Sequence, residues 1–159
     1  MASINEESRF LIKKLGLVEL EEEGGYFRQY FTHRKGSAIL GGTIYYLITE
    51  DSYSSLHWLP TDELWYFLQG SPVEQLILYP DGRHSLTHLG PVGEGIAPLS
   101  LVPGGCYQGT KLLEGGYALC ATTMCPPYDQ SRYKQGTIEL LQDYPTCKRL
   151  VDFLREEDR

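Results

Sequence analysis

The stretch HWLPTDELWYFLQGSPVEQLILYPDG, residues 57–82, decides the reading of this chain. It holds two short runs rich in Leu, Ile, Val and aromatic residues, ELWYFLQ (63–69) and VEQLILY (73–79). Gly70-Ser71-Pro72 separates them, and Pro80-Asp81-Gly82 ends the second. Runs this short, closed by Gly and Pro, suit strands better than helices. The spacing predicts a hairpin through 70–72, followed by a turn at 80–82 and a short strand at 83–89.

The same texture extends to both sides. YFRQYFT (26–32) reads as a strand with aromatics on both faces, entered through Gly24-Gly25. AILGGTIYYLIT (38–49) carries no charge and reads as a strand buried on both faces, with Gly41-Gly42 marking a bulge or a close backbone approach. PLSLV (98–102) leads into Pro103-Gly104-Gly105, residues 106–110 leave that turn, and GYALCATTM (116–124) forms a last strand before Pro126-Pro127. Helical periodicity is confined to the ends. SINEESRFLIKKL (3–15) has Ser3 as its cap and a Phe10-Leu11-Leu15 stripe, with Gly16 ending it, and helices are expected over 137–142 and 146–155. About eight short strands framed by terminal helices predict an all-β barrel or jelly roll, in a single domain covering 1–159 with its core at about 20–130.

Composition narrows the function classes. The 159 residues are 42% hydrophobic and 22% charged, which is ordinary for a globular chain. A net charge of −7 argues against a nucleic-acid surface, which needs a clustered basic footprint. No apolar run approaches the ~18 residues of a membrane span. Cys106, Cys120, Cys125 and Cys147 form no Cys-x-x-Cys pair, and Met1 to Arg9 is polar, without the apolar core of a leader. These features predict free thiols in a reducing cytoplasm.

Two stretches resemble the paired motifs of the cupin superfamily. The first motif runs Gly, five residues, His-x-His, three or four residues, Glu, six residues, Gly; here His57, Leu59, Glu63 and Gly70 stand at the matching places. The second runs Pro-x-Gly, two residues, His; here it reads Pro103 to Gln108, with Gln108 at the histidine position. EGGYFRQ (23–29), IYYLI (44–48), HWLPTDELWYFLQGSP (57–72), PDG (80–82), VPGGCYQG (102–109) and CATTMCPPYD (120–129) together resemble a largely uncharacterised branch of that superfamily, similar in fold to the dTDP-sugar epimerase cupins. The resemblance implies a double-stranded β-helix barrel whose mouth binds a small molecule, and a homodimer. It also implies a departure: metal-dependent cupins use three histidines and a glutamate, whereas Leu59 cannot bind a metal. Only a divalent metal held by His57, Glu63 and Gln108 remains open, and no cofactor is required.

On this reading the alternation of 63–69 turns Glu63, Trp65 and Phe67 to the barrel mouth, with Leu64, Tyr66 and Leu68 facing away. A carboxyl beside an apolar platform is prepared for acid or base work, and His57 can reach the same space. Glu63 and His57 are therefore the catalytic candidates, and a simple buried ion pair between them is the competing account. Arg28 either clamps an anionic group of the substrate or pairs with Glu23. Tyr26, Tyr45, Tyr79, Tyr107, Tyr128 and Trp65 offer faces and hydroxyls to a ring-bearing ligand, and Gln108 orients it or a water. Asp62 reads as a turn residue, and His33, His84 and His88 as surface histidines. Three functions remain open: an isomerase, epimerase or lyase moving protons on a ring-containing or carbohydrate-like substrate, a non-catalytic metabolite binder, and a metalloenzyme.

Overall fold

In the computed structural model, which describes residues 4–159, the strand-forming runs build two six-stranded sheets laid face to face. In chain order the strands are β1 (Val18–Glu19), β2 (Tyr26–Lys35), β3 (Ala38–Thr49), β4 (Ser54–Trp58), β5 (Glu63–Gly70), β6 (Val73–Leu78), β7 (His84–Leu89), β8 (Ile96–Ala97), β9 (Leu99–Val102), β10 (Tyr107–Leu112), β11 (Tyr117–Met124) and β12 (Lys134–Gln135). The first sheet runs β1-β2-β3-β11-β5-β9 and the second β12-β4-β10-β6-β7-β8. Neighbours that are distant in sequence, and nearly all antiparallel, make this a jelly-roll β-sandwich.

One expectation fails instructively. β5 and β6 are not a hairpin: β5 pairs with β11 and β9, β6 with β10 and β7. Gly70-Ser71-Pro72 is a crossover between the sheets, its Gly70 at φ +101 where a side chain would meet the Tyr117 carbonyl. A three-residue link looks the same in sequence whether it folds a strand back on its neighbour or hands it to the opposite sheet. The true hairpin joins β6 to β7 through Pro80-Asp81-Gly82, closed by Tyr79 and Arg83 backbone bonds. β3 is buried at Gly41 and from Tyr46 to Thr49, and the rest of it is partly or fully open. Gly41 and Gly42 mark a close approach, to the Met124 carbonyl and the Gln29 side chain.

The core lies between the sheets, where Tyr46, Ile48, Trp65, Val73, Ile77, Leu89, Val102 and Cys120 interdigitate. The outer face of the first sheet is partly covered by α1 (Glu6–Leu15), which seats Leu11 on Leu47 and Leu119. Asn5 caps this helix, its side chain accepting from the Ser8 N–H, and Gly16 ends it in the left-handed region. The cap expected at Ser3 lies outside the described residues. The outer face of the second sheet is covered by Leu150, Phe153 and Leu154 against Leu56, Leu76 and Leu78. The residues carrying them form 3-10 turns at Ile138–Gln142 and Lys148–Phe153 rather than the expected α-helices. Short segments broken at Pro145 gain more from seating their apolar side chains than from regular helix bonds.

Candidate functional site

Between the open ends of the sheets lies a cavity of about 480 Å³. β5 sends Glu63 and Trp65 into it; β2 and β3 contribute Phe27, Gln29, Ile44 and Tyr46; β11 contributes Thr122 and Met124. The turn before β2 supplies Glu22 and Glu23, and the segment after β11 brings Tyr128 and Tyr133. Leu59, at the second-histidine position of the motif, is part of the same wall. The wall is apolar and aromatic with a few convergent polar groups, the usual make-up of a small-molecule site.

Glu63 is only 6% exposed. Burial pushes its carboxyl up to about 7, and the charge of Glu23 adds to this. His57 and the donors of Thr122 and Gln108 act the other way without offsetting it. Gln108 stands behind Trp65 and accepts a 3.0 Å hydrogen bond from its indole N–H. That bond holds the ring beside the carboxyl.

His57 does not line the cavity. It is fully buried on β4, stacked on the Tyr133 ring, with a centroid separation of 5.4 Å. Its Nδ1 lies 2.7 Å from the Ser55 carbonyl and its Nε2 lies 2.7 Å from Glu23 Oε1. Both ring nitrogens thus face acceptors, which suits the doubly protonated ring. Desolvation works against that charge, but Glu23, the Ser55 carbonyl and Glu63 together hold the His57 pKa above its ordinary value. Tyr46 donates to the other Glu23 oxygen at 2.7 Å. Its own pKa is pushed well up, by burial first and by Glu23 next.

Glu23, the first residue of the EGGYFRQ segment, is the member of this group that the paired cupin motifs do not announce; its expected role was the alternative one of pairing with Arg28. The signal lies in the two residues that follow. Gly24 and Gly25 sit at φ +105 and +75, and a Cβ on them would meet the Tyr53 carbonyl at 2.1 Å and the Tyr46 ring at 2.6 Å. Only glycine lets the chain turn this tightly and swing Glu23 inward.

The structure separates most of the other candidates from the cavity. Arg28 is on the outer face of the first sheet, where its guanidinium donates to the Leu15 carbonyl at 3.0 Å and so caps the end of α1. Tyr26 packs with Leu11, Leu17 and Leu47 under that helix, and Tyr45 meets Tyr30 edge-on on the same face. Alternation leaves no choice once Phe27, Gln29, Ile44 and Tyr46 point in. Adjacent aromatics at Tyr26-Phe27 and Tyr30-Phe31 leave the inward phase of this strand unmarked in the sequence. Tyr79 packs at the far end of the core with Arg83 over its ring, and Tyr107 joins the cluster beneath the C-terminal turns. Asp62 accepts from the Gly104 N–H at 2.7 Å, a turn contact.

The proposed metal set does not fit a metal. Leu59 has no donor atom, His57 has its Nδ1 on the Ser55 carbonyl and its Nε2 against the Glu23 carboxyl, outside the cavity, and the Gln108 oxygen is held by Trp65. Among the described residues no group of three or more His, Cys, Asp or Glu side chains is placed to hold an ion. No helix among them is long and apolar enough to cross a membrane.

The model of a family described as cupin superfamily (DUF985) matches residues 9–135. A solved structure of a Shewanella oneidensis protein superposes with a TM-score of 0.82 at 29% identity, over 91% of this chain and 95% of that one. A hypothetical protein from Leishmania major gives 0.82 at 26%, over 94% and 99%. Oxalate decarboxylase from Bacillus subtilis gives 0.59 at 20%, over 89% of this chain but only 36% of the decarboxylase, a likeness of fold alone. No curated protein matches the chain.

Proposed function

Because this chain belongs to the DUF985 family of the cupin superfamily, a small-molecule-binding fold, we propose that its cavity is the active site of an isomerase, epimerase or lyase that acts by proton transfer. The observation that carries this is Glu63. It is a carboxyl buried against Trp65 in an open cavity, with its pKa raised to about 7, where it can both take and return a proton at neutral pH. The ring-containing or carbohydrate-like substrate is supported by the Phe27, Tyr46, Trp65, Tyr128 and Tyr133 faces around it.

In this reading Glu63 is the catalytic residue. His57 is a positioning residue, acting through Glu23: the imidazolium neutralises that carboxylate, so that a single proton-exchanging acid faces the ligand. A metabolite found by screening should be turned over by the wild type and bound without turnover by Glu63→Gln. Undiminished turnover in the variant removes Glu63 from the mechanism. If every tight-binding metabolite stays chemically unchanged in the wild type, the cavity is a metabolite-binding site instead.

The homodimer belongs to the same proposal. Leu64 and Leu68 on β5 and Leu99 and Leu101 on β9 are all exposed, and the pairs Leu64–Leu101 and Tyr66–Leu99 lie side by side on one outer face. A second copy covering this face would bury them. The four unpaired thiols support a reducing compartment such as the cytoplasm.

A further inference from the structure

We propose that the cavity selects a ligand carrying a basic nitrogen, an ammonium or amidinium group, which it seats on Glu63 while the apolar part of the ligand lies against Phe27, Ile44, Trp65 and Met124. This rests on the reading of the cavity as a small-molecule site and assigns the charge of what enters it.

The first ground is the inventory of charge. Among the described residues no Lys, Arg or His side chain lines the cavity, whereas Glu22, Glu23 and Glu63 do. Glu23 is already matched by His57 and Tyr46. Glu63 is more than nine-tenths buried and has no ion-pair partner among the described residues. The one cation expected to receive an anionic substrate, Arg28, is spent on the Leu15 carbonyl on the opposite face of the sheet.

The second ground is independent of charge and concerns donors. The four aromatic hydrogen-bond donors of the wall are turned inward, onto the protein itself. Tyr46 donates to Glu23, Tyr133 to Gln135 at 2.6 Å, Tyr128 to the Gln130 side-chain oxygen, and the Trp65 indole to Gln108. The Gln29 amide donates to the Phe31 carbonyl at 2.7 Å, which leaves its oxygen free. What the wall still offers is mainly acceptors: the Glu63 carboxylate, the Gln29 oxygen and, at the rim, Glu22. A carboxylate or phosphate would meet negative charge with few donors to receive it, and its desolvation would go uncompensated. An ammonium brings donors to a wall that offers mainly acceptors, and the Trp65 and Tyr46 rings add their electron-rich faces.

Glu22, Glu23, His57, Tyr46, Tyr128 and Tyr133 are the titratable groups around Glu63. With a cation bound Glu63 stays ionised, so affinity for an amine should strengthen as pH rises through 7.

The test uses three small probes of one shape and different charge: 2-phenylethylamine, 2-phenylethanol and phenylacetate. Binding at neutral pH is followed by Trp fluorescence and calorimetry, in the wild type and in Glu63→Gln. The amine should bind at least tenfold more tightly than the alcohol, with phenylacetate weakest, and Glu63→Gln should bring the amine down to the alcohol. The order in the wild type is informative even if the variant folds poorly. Phenylacetate binding as tightly as the amine, or an amine preference that survives in a folded Glu63→Gln, overturns the assignment and leaves the proton-transfer reading standing. If none of the three binds and a panel of sugars and nucleotides also leaves the fluorescence unchanged, the small-molecule reading falls, and this assignment with it.

Discussion

Replacing Glu63 by Gln should make the protein more stable at alkaline pH, because the wild type carries a cost there that an amide does not. The Glu63 carboxyl moves from an ordinary value of 4.5 in the unfolded chain to about 7 in the fold, first through burial and then through Glu23. A carboxyl held up in this way favours the folded state while it is protonated. Its contribution is fully present below pH 4.5 and is lost as pH rises through 7. A pKa difference of about 2.5 corresponds to about 3 kcal/mol lost between those limits, at roughly 1.4 kcal/mol for each tenfold change. Gln cannot ionise and is close to the protonated carboxyl in shape, so it escapes this loss.

Urea unfolding of both proteins at pH 4.5, 6, 7 and 8.5 measures the effect. The stability difference should swing toward Glu63→Gln by about 3 kcal/mol over the series, with most of the change complete by pH 7. In thermal melts that is a relative gain on the order of 6–12 °C for a chain of this length. His57 is held up by Glu23 and the Ser55 carbonyl more than by Glu63, so most of its contribution is common to both proteins and cancels in the difference. Two stability curves that stay parallel from pH 4.5 to 8.5 would refute the reasoning, since Glu63 would then ionise in the fold as it does in the open chain.

Two further perturbations address the elements behind that carboxyl. Glu23→Gln leaves the His57 imidazolium without its counter-charge, which for a buried pair costs about 3–5 kcal/mol. NMR titration should show the His57 pKa falling, and an unmoved His57 in a fully stable variant would contradict the pair. Gly24→Ala places a Cβ at 2.1 Å from the Tyr53 carbonyl at φ +105, and denaturation should show a loss above about 2 kcal/mol. A loss of only a few tenths would mean that the turn carrying Glu23 can relax.

Much of this was legible from residues alone where a pattern has one period and one meaning. The alternation in 63–69 sets Glu63, Trp65 and Phe67 on one face and Leu64, Tyr66 and Leu68 on the other, and the fold keeps that phase. Pro80-Asp81-Gly82 reads as a turn and is one, because its local backbone geometry closes the chain whatever lies beyond it; that it closes a hairpin is shown by the structure. In 26–31 the reading gave out, since aromatics at successive positions leave the inward phase undetermined. The structure turns Phe27 and Gln29 in and Tyr26 and Arg28 out.

The stretch 57–82 therefore determined by itself where strands begin, where they stop and which side chains of β5 share a face, because these depend on bonds and sterics within a few residues. It did not determine that β5 and β6 part to opposite sheets, nor that His57 faces Glu23, 34 positions earlier, instead of the cavity. Those arrangements depend on which distant segments pack together. A buried charge is placed by the partner that compensates it, and that partner is brought near only by tertiary structure.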